Sequence, residues 1–254
     1  MSQANATPST PRTGNINTGA AFSAAALPGA IALLAFYFCF QSPVFLSFNN
    51  WISISVQIAS LMTISIPFAI LLMAGKVDLS VGSMVGLAGV VAGLSFPEFG
   101  VAGTVVFTLA VGLAIGLANG FLVGFLSMSP IIVTLGALTL MRGLAQWLSP
   151  TPLFGFPEAF TFIGYGRLSG LPILTWIMLS VLIVGLFVMA RTPLGRHTVA
   201  IGVNERAAYL VGIRVKLTVM LLYGAVGLGA ALAGLMTIAR INSAPSGTLG
   251  IASN

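Results

Sequence analysis

Long apolar stretches alternate with short polar breaks along this chain, and the stretches are of membrane-crossing length. Residues 13–75 carry no charged side chain, and neither do 99–141, 168–190 and 217–239. A helix needs about 20 consecutive apolar residues to cross a bilayer, and the last two stretches each offer about 23. Divided at the polar breaks, the pattern predicts seven helical spans, at about 26–46, 52–74, 79–95, 100–126, 130–148, 170–190 and 217–239. The first 25 residues are mostly Ser, Thr, Asn, Pro and Ala around Arg12. They lack a basic segment running into an apolar core and a small-residue cleavage site, so they predict a flexible cytoplasmic tail rather than a signal peptide. Residues 26–254 then form one all-α, polytopic membrane domain.

Composition agrees. Hydrophobic residues make up 57% of the chain and charged residues 6%, where a soluble domain has roughly 25% charged, and the mean hydropathy is +1.07. The net charge of +6 is read as cytoplasmic loop charge under the positive-inside rule, not as affinity for nucleic acid. A single cysteine, Cys39, excludes an internal disulfide and a cysteine-based metal cluster.

The charge is concentrated in one place. Arg191, Arg196, Arg206, Arg214 and Lys216 are half of the ten Lys and Arg, and they share 191–216 with the one histidine, His197, and with Glu205. If this segment is cytoplasmic, alternation of spans puts the N-terminus inside and 149–170 outside, where only Glu158 and Arg167 are charged. Residue 254 then falls on the outer side. Within the basic segment Asn204 suits an N-cap, Glu205 a first-turn acid and Gly212 a C′ position, so 205–211 reads as a helix of about two turns. Such a helix is too short to hold in water without support from its neighbours.

Small residues, mostly glycines, recur four residues apart, at Gly82/Gly86, Gly89/Gly93, Gly112/Gly116/Gly120/Gly124 and Gly227/Ala231. That spacing lets helix backbones approach closely in lipid. Two further features carry polar groups to the membrane boundary or into it. Asp78-Leu-Ser80-Val-Gly82-Ser83 reads either as a helix start, with Asp78 or Ser80 capping free amides, or as a broken helix lining a pathway. In the span at 130–148, Thr134 and Arg142 precede Gln146 and Trp147. Arg142 lies about 18 Å along that helix, as an intramembrane functional group or as a side chain snorkelling toward the outer surface.

These three stretches occur in the order found in the permease subunits of bacterial ABC importers for monosaccharides such as ribose, xylose and autoinducer-2. They are Asp78–Ser83; Thr134-Leu-Gly with Arg142-Gly-Leu-Ala; and Gly195-Arg-His with Ala200-Ile-Gly-Val-Asn-Glu-Arg-Ala-Ala and Gly212-Ile. The chain resembles that family over about residues 30–250, and the Asp78 element sets it apart from the related branched-chain amino acid permeases. Lys76 is a departure, since the family usually has Gly there, and it places a charge in the turn.

The resemblance implies a type II ABC importer permease fold in the bacterial inner membrane. Its expected partners are a separate ATPase subunit that carries ATP and Mg, a second permease subunit, a periplasmic sugar-binding protein and membrane lipid. It implies no cofactor on this chain and no catalytic residue. It assigns ATPase coupling to Arg196, Asn204, Glu205, Arg206, Ala207, Ala208 and Gly212, with the two alanines allowing close approach of the partner. It assigns the translocation pathway, or its support, to Asp78, Ser80, Gly82, Ser83, Thr134 and Arg142. Family members have ten spans, so the chain is expected to be C-terminally truncated by three, leaving 243–250 without a packing partner.

Little competes with transport. No Gly-x-x-x-x-Gly-Lys-Ser/Thr phosphate loop is present, so ATP must be hydrolysed elsewhere. One histidine and four scattered acids supply neither an acid/base pair nor a metal site. A stand-alone secondary transporter or channel for a small polar solute is the alternative, with Asp78 as its intramembrane carboxylate.

Overall fold

The computed structural model describes residues 18–244 and divides the chain into two units, one ending at Trp51 and one beginning at Ile52. The first unit holds α1 (Thr18–Gln41) and the first turn of α2 (Phe48–Met73). From that first turn of α2, Asn50 donates from Nδ2 to the carbonyl of Phe45 in the intervening turn at 2.8 Å. The predicted tail lies mostly outside the described residues.

In the second unit the remainder of α2 is followed by α3 (Val81–Gly124), α4 (Pro130–Leu148), β1 (Leu153–Phe154), α5 (Glu158–Tyr165), β2 (Arg167–Leu168), β3 (Leu171–Pro172), α6 (Ile173–Arg191), α7 (Pro193–Val203), α8 (Glu205–Leu210), α9 (Val215–Ile241) and β4 (Ser243–Ala244). Among the described residues, five helices are long and apolar enough to cross a membrane: α2, α3, α4, α6 and α9. The chain is an all-α, multi-pass membrane protein.

The 44 residues of α3 would extend about 66 Å at 1.5 Å per residue, twice the hydrocarbon thickness of roughly 30 Å. They do not run straight. Gly100 has φ +62°, ψ −173°, inside the stretch, and contacts with α9 reverse there. Before it, Val85 and Ala88 meet Gly234 and Gly89 meets Ile238; after it, Gly112 meets Ala231, Gly116 meets Tyr223, Gly120 meets Met220 and Gly124 meets Lys216. One limb therefore runs parallel to α9 and the other antiparallel, so α3 is a hairpin of two spans, matching the separate spans predicted at 79–95 and 100–126. The Phe96 ring packs tilted against those of Phe156 and Phe160 close to the bend.

The central helix is α9, 72% of whose apolar window is buried, against 11% for α6. The glycine spacing explains how both limbs reach it. A Cβ at Gly112 would lie 2.6 Å from the Gly227 carbonyl oxygen, and one at Gly120 2.7 Å from the Met220 Cα. Only hydrogen permits these approaches.

Two expectations are corrected. Ser243 and Ala244 do have a partner: β4 pairs antiparallel with β1, Leu153 opposite Ala244 and Phe154 opposite Ser243, and Ala244 is buried. Residues 245–250 lie outside the described part. The basic segment is also not a loop with one short helix. Pro193 opens an additional helix, α7, in the first-turn position where a missing N–H costs nothing.

Candidate coupling and pathway site

The charged segment folds into an arm of two helices, α7 and α8, meeting at Asn204. Asn204 is extended (φ −160°, ψ 101°) and its side chain accepts the Ala207 N–H at 3.0 Å. Glu205 occupies the first turn. At the other end Gly212 takes φ +85°, donating to Tyr209 O while Ile213 donates to Ala208 O. This paired closure uses an αL residue that only glycine adopts cheaply.

The arm is clamped to one end of the bundle. Ile201 and Ala208 are buried in a cluster with Leu71, Ala74, Val219 and Tyr223, and Gly202 faces the Met73 carbonyl at the end of α2. Ala208 is 3% exposed, so it anchors α8 to its own bundle and does not offer close approach to a partner. Ala207, Arg196 and Arg206 are exposed, as are Asn204 and Glu205. With them Val203, Tyr209, Leu210 and Val211 stand at 67–82% exposure. Four bare apolar side chains beside cations, on a segment outside the spans, form a surface rather than a solvated loop.

Beside the arm lies the turn between α2 and α3. Here α2 ends in the same closure, Gly75 at φ +70° with Lys76 N–H donating to Leu71 O. Asp78 and Ser80 follow, both buried. Asp78 Oδ1 accepts the Ser80 amide at 2.8 Å and also the Ser80 hydroxyl. Asn119, on the returning limb of α3, donates to Ser80 Oγ at 3.2 Å, and the Tyr223 hydroxyl donates to Val77 O at 2.8 Å. Of the two capping candidates, Asp78 does accept a backbone amide at the helix start, that of Ser80, and Ser80 is the one corrected. Ser80 holds the N-cap position without a side-chain cap bond, and Asp78 ties down Ser80 itself.

Burial pushes the Asp78 carboxyl above its ordinary value, opposed by its bonds with Ser80 and by Asn119, and Oδ2 has no partner. Asn119 and Tyr223 were not singled out from sequence. Asn119 is a polar residue in a charge-free stretch, but only the hairpin brings it to Ser80.

The remaining pathway candidates are dispersed. Gly82 is exposed and Ser83 half-buried. Thr134 is buried with its hydroxyl donated to Pro130 O at 2.8 Å, and Arg142 is half-buried in the far half of α4. The structure does not bring Arg142 to Asp78. A crevice of about 450 Å³ between α2, α6 and α9 has Ser180 as its one polar lining residue, a poor match for a hydrated sugar.

Residues 50–252 match the family described as branched-chain amino acid transport system / permease component, and the chain belongs to that family. Among its relatives, the ribose import permease protein of Escherichia coli K12 is 34% identical over 209 residues, 80% of this chain and 65% of that protein. The autoinducer 2 import system permease protein of Photorhabdus temperata is 32% identical over 192 residues, 72% of this chain and 57% of that protein. The chain thus spans less than two thirds of these relatives. No solved structure matches it.

Proposed function

We propose that this chain is the membrane-spanning permease subunit of an ATP-binding cassette importer that carries a monosaccharide across the bacterial inner membrane, driven by a separate ATPase subunit. The observation that carries the reading is the arm. Its capped helix α8 is anchored by Ala208 and presents Tyr209, Leu210 and Val211 with Arg206 outward, a shape and chemistry suited to a protein partner. The arm faces the cytoplasm, where the ATPase holds ATP and Mg, and the N-terminus lies on the same side. A second permease subunit and a periplasmic sugar-binding protein complete the assembly, and the sugar passes unmodified.

Co-expression of the full-length permease with a cognate ATPase subunit tests the reading. The complex should copurify and support ATP-dependent sugar uptake in vesicles supplied with the binding protein; uptake that persists without the ATPase would favour a stand-alone transporter. Gly212→Val sharpens the test. A β-branched residue at φ +85° costs about 2 kcal/mol, enough to unwind a six-residue helix. Uptake should fall at least about tenfold, as a loss of ~1.4 kcal/mol already gives that factor, while membrane insertion survives. Normal uptake by this variant would remove α8 from coupling.

Arg142→Ala separates the two readings of that residue. Insertion should be unchanged or improved, because an arginine at a helix centre costs about 2.5–3.5 kcal/mol to insert. If Arg142 supports the pathway, uptake falls about tenfold at equal expression. Unchanged uptake would leave it a snorkelling side chain.

A further inference from the structure

Lys76, the residue that departs from the family pattern, does not point into solvent. Its Nζ lies 2.8 Å from Glu205 Oε2, joining positions 129 residues apart, and this is the one ion pair among the described residues. Both ends are held by fixed backbone. Lys76 follows the left-handed Gly75 that closes α2, and its own amide is bonded to Leu71 O. Glu205 follows Asn204, whose side chain caps α8. Lys76 is 17% exposed and Glu205 53%, so the lysine stem is packed and the carboxylate is open on the arm's outer side.

We propose that Lys76 is a positioning residue for the arm: its ion pair with Glu205 locks the first turn of α8 to the α2–α3 turn, so that movement of α8 is passed to Asp78, Ser80 and Asn119. The transmission half of this statement rests on the importer reading; the lock does not. One residue, Val77, separates Lys76 from Asp78, and from Asp78 the bonds run through Ser80 to Asn119 on the other limb of the α3 hairpin. A displacement at Glu205 therefore has a short polar route to both limbs packed on α9. An exposed ion pair in water is weak. A partner seated over α8 would exclude water from the Glu205 side and strengthen the pair, so the lock would tighten when the arm is engaged.

Charge exchange tests the proposal on the full chain, alone and in its complex with the ATPase subunit. Tyr209 in α8 is exposed, so chymotrypsin cleavage after it reports opening of the arm in detergent-solubilised chain. K76E and E205K should each raise that cleavage by roughly fivefold, the upper range for losing an exposed pair. Each should also lower the sugar carried per ATP hydrolysed by a similar factor, and K76E, which lies outside the coupling surface, should do so with ATPase association unchanged. The K76E/E205K exchange and the conservative K76R should return both measures to within about twofold of the parent. Single variants that match the parent in cleavage, or an exchange no better than either single, would overturn the lock. Normal sugar-to-ATP ratios in single variants with raised cleavage would overturn the transmission. Failure of the parent to retain an ATPase would overturn the importer reading, and the cleavage series decides the lock without it.

Discussion

Gly227→Val should separate α9 from the α3 hairpin, giving a chain that inserts but does not hold its bundle. At Gly227 a Cβ would press on the Gly112 carbonyl oxygen and lie 3.0 Å from the Gly116 Cα, while Gly112 and Gly116 are themselves packed on Ala231 and on Tyr223 and Gly224. These neighbours are mostly backbone, which cannot rotate aside as a flexible side chain does. Overpacking a tight contact costs about 1–3 kcal/mol, and a backbone clash belongs at the upper end. The effect is large because lipid provides no hydrophobic drive between helices, so close packing holds them. A loss of about 3 kcal/mol corresponds to a melting temperature about 10 °C lower for a chain of this size. Gly136→Val is the control. It lies on the exposed face of α4, where a Cβ meets nothing within 4 Å, and should leave the melt of the isolated chain within a few degrees of the parent. Thermal melts in detergent compare the two, and a Gly227→Val melt matching the parent would mean the α3–α9 contact is looser than described.

That these faces pack closely was legible in the sequence, though not which face meets which, because the small residues recur every four positions, a period that depends on one helix at a time. The same holds for Asn204 and Gly212, whose cap roles follow from short-range rules, and for the Pro130–Leu148 span, which Pro opens and apolar residues fill. What escaped was set by distance or by mixed composition. The α7 helix carries Gly195, Arg196, His197 and Gly202 in 11 residues, so no apolar period announces it; its anchor Ile201 is visible only once the end of α2 lies beneath it. Ala208 looked like its neighbour Ala207, yet one turns inward and the other outward. The β1–β4 pairing, the Asn119–Ser80 bond and the Lys76–Glu205 pair all depend on where the spans return. A hydropathy pattern shows where the apolar segments lie well before it shows which ends meet.

Asp78→Leu should destabilise the chain strongly, whereas Asp78→Asn should be tolerated. Leucine removes the acceptor for the Ser80 amide and hydroxyl, leaving two donors in a site where Ser80 is fully buried. Each stranded buried group costs about 1–3 kcal/mol, so the pair is expected to cost about 4 kcal/mol. Asparagine keeps an oxygen in the Oδ1 position and discards a charge that burial already disfavours, so its net effect should stay within about 1 kcal/mol. The two variants also differ from the parent in pH dependence. Because the folded carboxyl titrates above its ordinary value, its contribution is fully present below that ordinary value and is lost as pH rises through the folded one. The parent should therefore lose stability across that window, and Asp78→Asn should be flat through it. Melts of the three chains from about pH 4 to pH 8 make the comparison. A leucine variant melting with the parent would show that Asp78 does not hold the α2–α3 turn. Equal losses from leucine and asparagine would show that the negative charge itself, and not the acceptor oxygen, is what the turn requires.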